Sequence, residues 1–127
     1  MPRVIHFEIP ADDPERAADF YTKVFGWEVK KWEGPQDYWM VMTGPEKEPG
    51  INGAIMKRLV PIAGDSVIAY INSISVSSVD EYVKRILDNG GVLTMPKVGI
   101  SKVGWLAYCK DTEGNIFGIL EEDKNVK

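Results

Sequence analysis

Two residues near the start of the chain, His6 and Glu8, have the types and the spacing for proton-transfer chemistry. Residues two apart on a β-strand point to the same face, so an imidazole and a carboxylate would stand side by side here. A carboxylate beside an imidazole, whose unperturbed pKa is near ~6.5, can tune it as a general acid–base. The plainer alternative is a histidine hydrogen-bonded in a polar cavity, with Glu8 at its rim. His6 is also the single histidine of the chain. A metal centre built from two or three imidazoles therefore cannot be assembled within one copy.

A second set that could carry chemistry is aromatic. Trp39, Tyr70, Trp105 and Tyr108 fall in or beside strand-like segments, and Trp39 and Trp105 occupy matching places in the two halves of the chain. Such rings can wall a site for a planar or apolar ligand, or they can fill a core or a subunit interface. Cys109 has no histidine near it in sequence and reads as a buried, inert thiol. The paired carboxylates Asp12-Asp13 and Glu121-Glu122-Asp123 sit at a helix start and in the last residues, where capping and solvation explain them. The net charge is −4 with scattered lysines, which excludes the basic stripe of a nucleic-acid binder. No apolar run approaches the ~20 residues that span a bilayer. The opening residues Met1-Pro2-Arg3-Val4-Ile5-His6 lack the apolar core of a secretion signal, and one cysteine closes no intrachain disulfide. Both features fit a reducing cytoplasm.

The elements that must position these residues come in two copies. Val4-Ile5-His6-Phe7-Glu8-Ile9 alternates as a strand, with Ile5, Phe7 and Ile9 on one face. Asp13 and Pro14 then form a helix start, Ala17, Phe20, Tyr21, Val24 and Phe25 recur at helical spacing, and Gly26 ends the run. Strands are expected at Trp27–Trp32, Tyr38–Met42 and Ala54–Lys57. The second half repeats this βαβββ order. Its strand is expected at Val67–Asn72, its helix opens at Ser78-Val79-Asp80-Glu81 in capping-box form, and Asn89-Gly90-Gly91 stops it. Val92-Leu93-Thr94, Gly104–Cys109 and Ile116–Glu121 supply the remaining strands, and the halves join near Val60–Asp65. Each half is too short for a dependable core of its own and has one helix, enough to cover one sheet face. The expectation is one α+β domain over residues 1–127, with modules at about 1–60 and 65–123 whose curved mixed sheets enclose a cleft.

The order of these segments resembles the vicinal oxygen chelate superfamily, which includes glyoxalase I, bleomycin-resistance proteins and extradiol dioxygenases. The resemblance rests on Val4–Ile9, on Phe20-Tyr21-Thr22-Lys23-Val24-Phe25-Gly26-Trp27 and on Asp111-Thr112-Glu113-Gly114-Asn115, and it covers nearly the whole chain. In metal-dependent members the ligands come from the first and last strand of each module. His6 holds one of those positions, while the others fall at Ala69, at Gly118 with Glu121 three residues beyond, and at Gly53 or Met56. The resemblance therefore implies a small-molecule binder or lyase-like enzyme without the family's metal. Dioxygenase chemistry, which wants two histidines and a carboxylate, does not fit. Two rivals stand beside it: a divalent-metal lyase or isomerase using His6 with Glu8, Glu121 or a partner-chain group, and a non-catalytic interaction module. The resemblance also implies a homodimer, with no nucleic-acid or membrane partner.

Overall fold

The structure, a computed structural model, describes residues 2–58 and 69–127. The elements are β1 (Val4–Ala11), α1 (Pro14–Phe25), β2 (Glu28–Lys31), β3 (Tyr38–Met42), β4 (Gly53–Lys57), β5 (Ile71–Ser75), α2 (Val79–Asp88), β6 (Val92–Ile100), β7 (Gly104–Lys110) and β8 (Ile116–Glu122). The fold is α+β: two βαβββ copies with mixed strand pairing, in the order β2-β3-β4-β1 in one and β5-β8-β7-β6 in the other. β1 runs parallel to β4 and β5 parallel to β8, while β2–β3, β3–β4, β6–β7 and β7–β8 pair antiparallel. Two compact units result, one spanning His6–Tyr70 and the other Ile71–Lys127 with the residues up to Ile5. The opening residues belong with the second half because the Arg3 carbonyl accepts from the Ser75 amide.

Both helices begin and end where local chemistry dictates. The Asp13 carboxylate accepts from the Arg16 amide, Pro14 takes the first turn where its missing N–H costs nothing, and Gly26 closes α1 at φ +72°. The Ser78 side chain caps α2 from the Glu81 amide, with Asn89 at the other end.

In the first-half unit α1 covers one face of the sheet. Phe7, Ile9, Ala11, Trp39, Val41 and Ile55 pack beneath Ala18 to form the core there. The backbones of β1 and β4 approach closely at Gly53, where an added Cβ would lie 2.4 Å from the Phe7 carbonyl oxygen. In the second-half unit Val76, Val79, Ala107 and Ile119 form the core, with Ile74, Trp105 and Phe117 against them.

One strand is displaced from its sequence position. The fifth strand was expected at Val67–Asn72 on the strength of an apolar run, but it spans Ile71–Ser75. Pairing with β8 (Ser73 opposite Gly118, Ile74 opposite Ile119) selects the more polar segment over the one with higher strand propensity. Val67 and Ile68, and the expected connection Val60–Asp65, lie outside the described residues.

Candidate functional site

Strand alternation decides which side chains meet. On β1, Phe7, Ile9 and Ala11 turn to α1, so His6, Glu8 and Pro10 turn the other way. On β3, Trp39 and Val41 turn to α1, which sends Tyr38, Met40 and Met42 to the same far face as His6. β4 contributes Ala54, opposite Glu8 and Met40, and Met56, opposite Pro10 and Tyr38.

On that far face three polar side chains converge. The Tyr38 hydroxyl lies 2.8 Å from His6 Nε2 and 3.4 Å from a Glu8 carboxylate oxygen, to which it can donate. Glu8 is 5% exposed, a degree of burial rare for a carboxylate unless it is engaged by partners. His6 is half-buried, and burial lowers its pKa below the ordinary imidazole value by penalising the charged ring. Tyr38 is shifted upward, first by burial, then by the charge of Glu8 and the hydrogen bond to it, so it stays a phenol. The Trp32 ring meets Tyr38 edge to face at 6.1 Å. Met40 and Met42, each 49% exposed, extend the face with flexible apolar surface. A neutral imidazole and a carboxylate, each within hydrogen-bond reach of one protonated phenol, can hold and pass a proton.

Of the expected site residues, the structure brings His6 and Glu8 together; the aromatic set lies elsewhere. Trp39 is on the opposite side of the first-half sheet, 8% exposed in the core, with its indole N–H donating to Glu15. Tyr70 stacks on Phe7 and its hydroxyl bonds that of Tyr21, so it belongs to the aromatic packing around α1. Trp105 packs with the core under α2, its N–H reaching Asp123. Of the two expectations for these rings, wall of a cleft or filling of a core, this packing accords with the second, since large aromatic area gains most where a helix covers it. Glu121 is engaged at a helix start. Its carboxylate accepts from the Val79 amide at 2.9 Å and so caps the first turn of α2. Tyr108 turns away from α2, beside Gly118. Cys109 is wholly buried, and burial raises its thiol pKa.

Sequence reasoning counted Tyr38 among the candidate aromatics but did not place it with His6 and Glu8. The segment Tyr38-Trp39-Met40-Val41-Met42 is apolar on both faces, so alternation alone does not tell which set is core. The available signal was the polar tip: of Tyr38 and Trp39, the phenol suits a polar face with His6 and Glu8.

The strand register aligns the two halves differently from the sequence repeat. Glu8 pairs with Ala54 and Ser73 with Gly118, each pair on the face turned from its helix. Counting back two residues sets His6 against Ile71 rather than Ala69. The first-half counterpart of Gly118 is Ala54 rather than Gly53 or Met56 when the buried core residues Ile55 and Ile119, each one position further along, are matched. Ile71, Ala54 and Gly118 carry no donor, and a Cβ at Gly118 would sit 2.7 Å from the Ser73 hydroxyl. Among the described residues no three of His, Cys, Asp and Glu gather as metal ligands do. These residues do not fit the three-donor centre of metal-dependent relatives.

Comparison with known proteins now bears on this arrangement. Residues 3–44 match the family described as "Bleomycin resistance protein-like N-terminal". The chain is 24% identical over 123 residues to the protein named "Putative glyoxylase CFP32" of Mycobacterium bovis and of Mycobacterium tuberculosis, aligning 94% of itself. It spans about half the length of these curated relatives, covering 45% of each. Among solved structures, a hypothetical protein, BH1468 from Bacillus halodurans, superposes with TM-score 0.68 at 14% identity, covering 99% of this chain and 98% of that one. Methylmalonyl-CoA epimerase from Mycobacterium tuberculosis gives 0.67 at 15% identity, over 94% and 87% of the two chains. A Streptomyces coelicolor methylmalonyl-CoA epimerase variant gives 0.68 at 15%, over 98% and 97%. This is a vicinal oxygen chelate fold. In sequence the chain is similar to the putative glyoxylases, and in fold to the methylmalonyl-CoA epimerases.

Proposed function

We propose that this protein binds a small organic molecule on the far face of its first-half sheet and that His6 exchanges a proton with it, without a bound metal. The observation that supports this most strongly is the convergence of His6, Glu8 and Tyr38 at hydrogen-bond range beside an exposed methionine surface. Buried carboxylates and neutral imidazoles in such groupings are favoured by acid–base sites. Structural neighbours include methylmalonyl-CoA epimerases, one of them solved with methylmalonyl-CoA, and this suggests carbonyl acids or acyl thioesters as the ligand class. The reaction would be of lyase or isomerase type, in which a proton leaves one carbon and returns to the same or another. We further propose that the working form is a homodimer, as the resemblance to the vicinal oxygen chelate superfamily implies.

The test uses the indole of Trp32, which stands against Tyr38. Small carbonyl acids and acyl-coenzyme A thioesters are titrated against wild-type protein and His6→Ala while tryptophan fluorescence is followed. Saturable quenching by a panel member, weakened at least about tenfold in His6→Ala, is expected for loss of a hydrogen bond to the ligand. A flat response across the panel, or equal affinity in the variant, would overturn the reading. Elemental analysis after metal-supplemented preparation tests the metal-free claim, and stoichiometric metal lost in His6→Ala would refute it. Sedimentation analysis tests the dimer.

A further inference from the structure

We infer that the chain of hydrogen bonds from Glu8 through Tyr38 to His6 holds the neutral imidazole as the Nε2–H tautomer, making Nδ1 the nitrogen that receives a proton from the bound molecule. The inference rests on the function just proposed and assigns roles within that site. His6 is the catalytic residue, while Tyr38 and Glu8 are positioning residues that act through it.

The argument is one of donors and acceptors. An ionised carboxylate can only accept, so the Glu8–Tyr38 contact at 3.4 Å is a hydrogen bond only if the phenol donates to Glu8. A phenol has one proton. Once that proton points to Glu8, the Tyr38 oxygen faces His6 Nε2 at 2.8 Å as an acceptor, and Nε2 must carry the hydrogen. In the reverse arrangement Tyr38 donates to a bare Nε2, and two acceptor oxygens face each other across a buried 3.4 Å gap. Glu8 is 5% exposed, so little water is at hand to relieve that opposition. The direction that satisfies both contacts is therefore Glu8 ← Tyr38 ← His6. It leaves Nδ1 with its lone pair.

Burial, which disfavours the imidazolium, keeps the resting ring neutral and able to accept. When a bound molecule gives up a proton, that proton goes to Nδ1 and the bonding electron pair stays on the ligand as an anion. The ring then carries hydrogen on both nitrogens, and Glu8 stabilises its charge through the phenol. Return of the Nδ1 proton to the ligand regenerates the resting state, so no co-reactant is consumed.

Because the chain has one histidine, long-range proton–nitrogen correlation NMR on uniformly labelled protein yields one imidazole pattern without an assignment problem. The spectrum is read above the pH at which the ring protonates. The expected wild-type pattern has a pyrrole-type Nε2 and a pyridine-type Nδ1. In Tyr38→Phe the tautomer ratio should move by at least about tenfold toward Nδ1–H, the size of one hydrogen bond to a charge-linked group. Glu8→Gln should move it the same way where that variant folds; Tyr38→Phe decides the matter where it does not. A wild-type Nδ1–H pattern, or a ratio unchanged in Tyr38→Phe, overturns the inference. Either outcome is separable from the functional reading. Ligand quenching that depends on His6 can survive a wrong tautomer, and the NMR pattern stands even if no panel member binds.

Discussion

The two halves of the chain share a plan and differ in what they carry on the face turned from the helix. In both, an N-cap side chain opens the helix, a parallel strand pair lies beneath it, and a tryptophan fills the core (Trp39 in one, Trp105 in the other). With Ile55 matched to Ile119, the register sets Trp39 against Ala107 rather than Trp105, Tyr38 against Leu106, and His6 and Glu8 against Ile71 and Ser73. The helix-covered faces are conserved in kind because each must bury an apolar stripe. The other faces are released from that demand, and polar chemistry is concentrated in the first half.

The largest expected effect breaks the shared part of this comparison. Ile55 and Ile119 occupy matching core positions, 0% and 2% exposed. Ile55→Ala and Ile119→Ala should each cost about 2–5 kcal/mol in urea unfolding, by lost burial plus the cavity left behind. A loss under about 1 kcal/mol at either site would mean that the two helix-covered faces are not equivalent cores.

The next effect separates structure from chemistry. Glu121→Ala removes the carboxylate that caps α2 and should cost about 0.5–2 kcal/mol, while ligand quenching in the first half stays as it was. A smaller loss is expected from Tyr38→Phe, about 0.5–1.5 kcal/mol, since one hydroxyl is removed and the ring remains. If Glu121→Ala weakened binding more than Tyr38→Phe did, the division between the halves drawn here would be wrong.

Much of the framework was legible in the sequence because helix ends are local events. Asp13-Pro14, Gly26 and Ser78 each act on neighbours within a turn, and the helices sit where those residues put them. The fifth strand was not legible, since its position depends on β8 some forty residues away rather than on its own propensity. His6 and Glu8 could be paired from spacing alone, as they share one strand. Tyr38 could not, because its approach depends on the phase of a strand apolar on both sides. Glu121 was ambiguous for the opposite reason. A carboxylate near a family ligand position invites a chemical reading, but the orphan amides at the start of α2 claim it first.

The smallest effect is also the most specific to the first half. Burial lowers the pKa of His6 in the folded protein relative to the ordinary value of 6.5. Below about pH 6.5 the unfolded chain therefore takes up a proton that the folded chain resists, and this binding favours unfolding. The contribution of His6 to stability is complete above that pH and declines as pH falls toward the lowered folded value. The sign is opposite to that of a histidine held by a carboxylate ion pair, which would add stability on acidification. Carboxylates also titrate in this region, but they are common to the wild-type protein and His6→Gln and largely cancel in a difference. Urea midpoints at about pH 7.5 and about pH 5.5 should therefore show a larger fall for wild type than for His6→Gln. Equal falls would mean that the ring is no harder to charge in the fold than in water. A smaller fall in wild type would mean that Glu8 pairs with the imidazolium directly, bypassing Tyr38, and the contrast between a chemical half and a structural half would then rest on an ion pair rather than on a neutral relay.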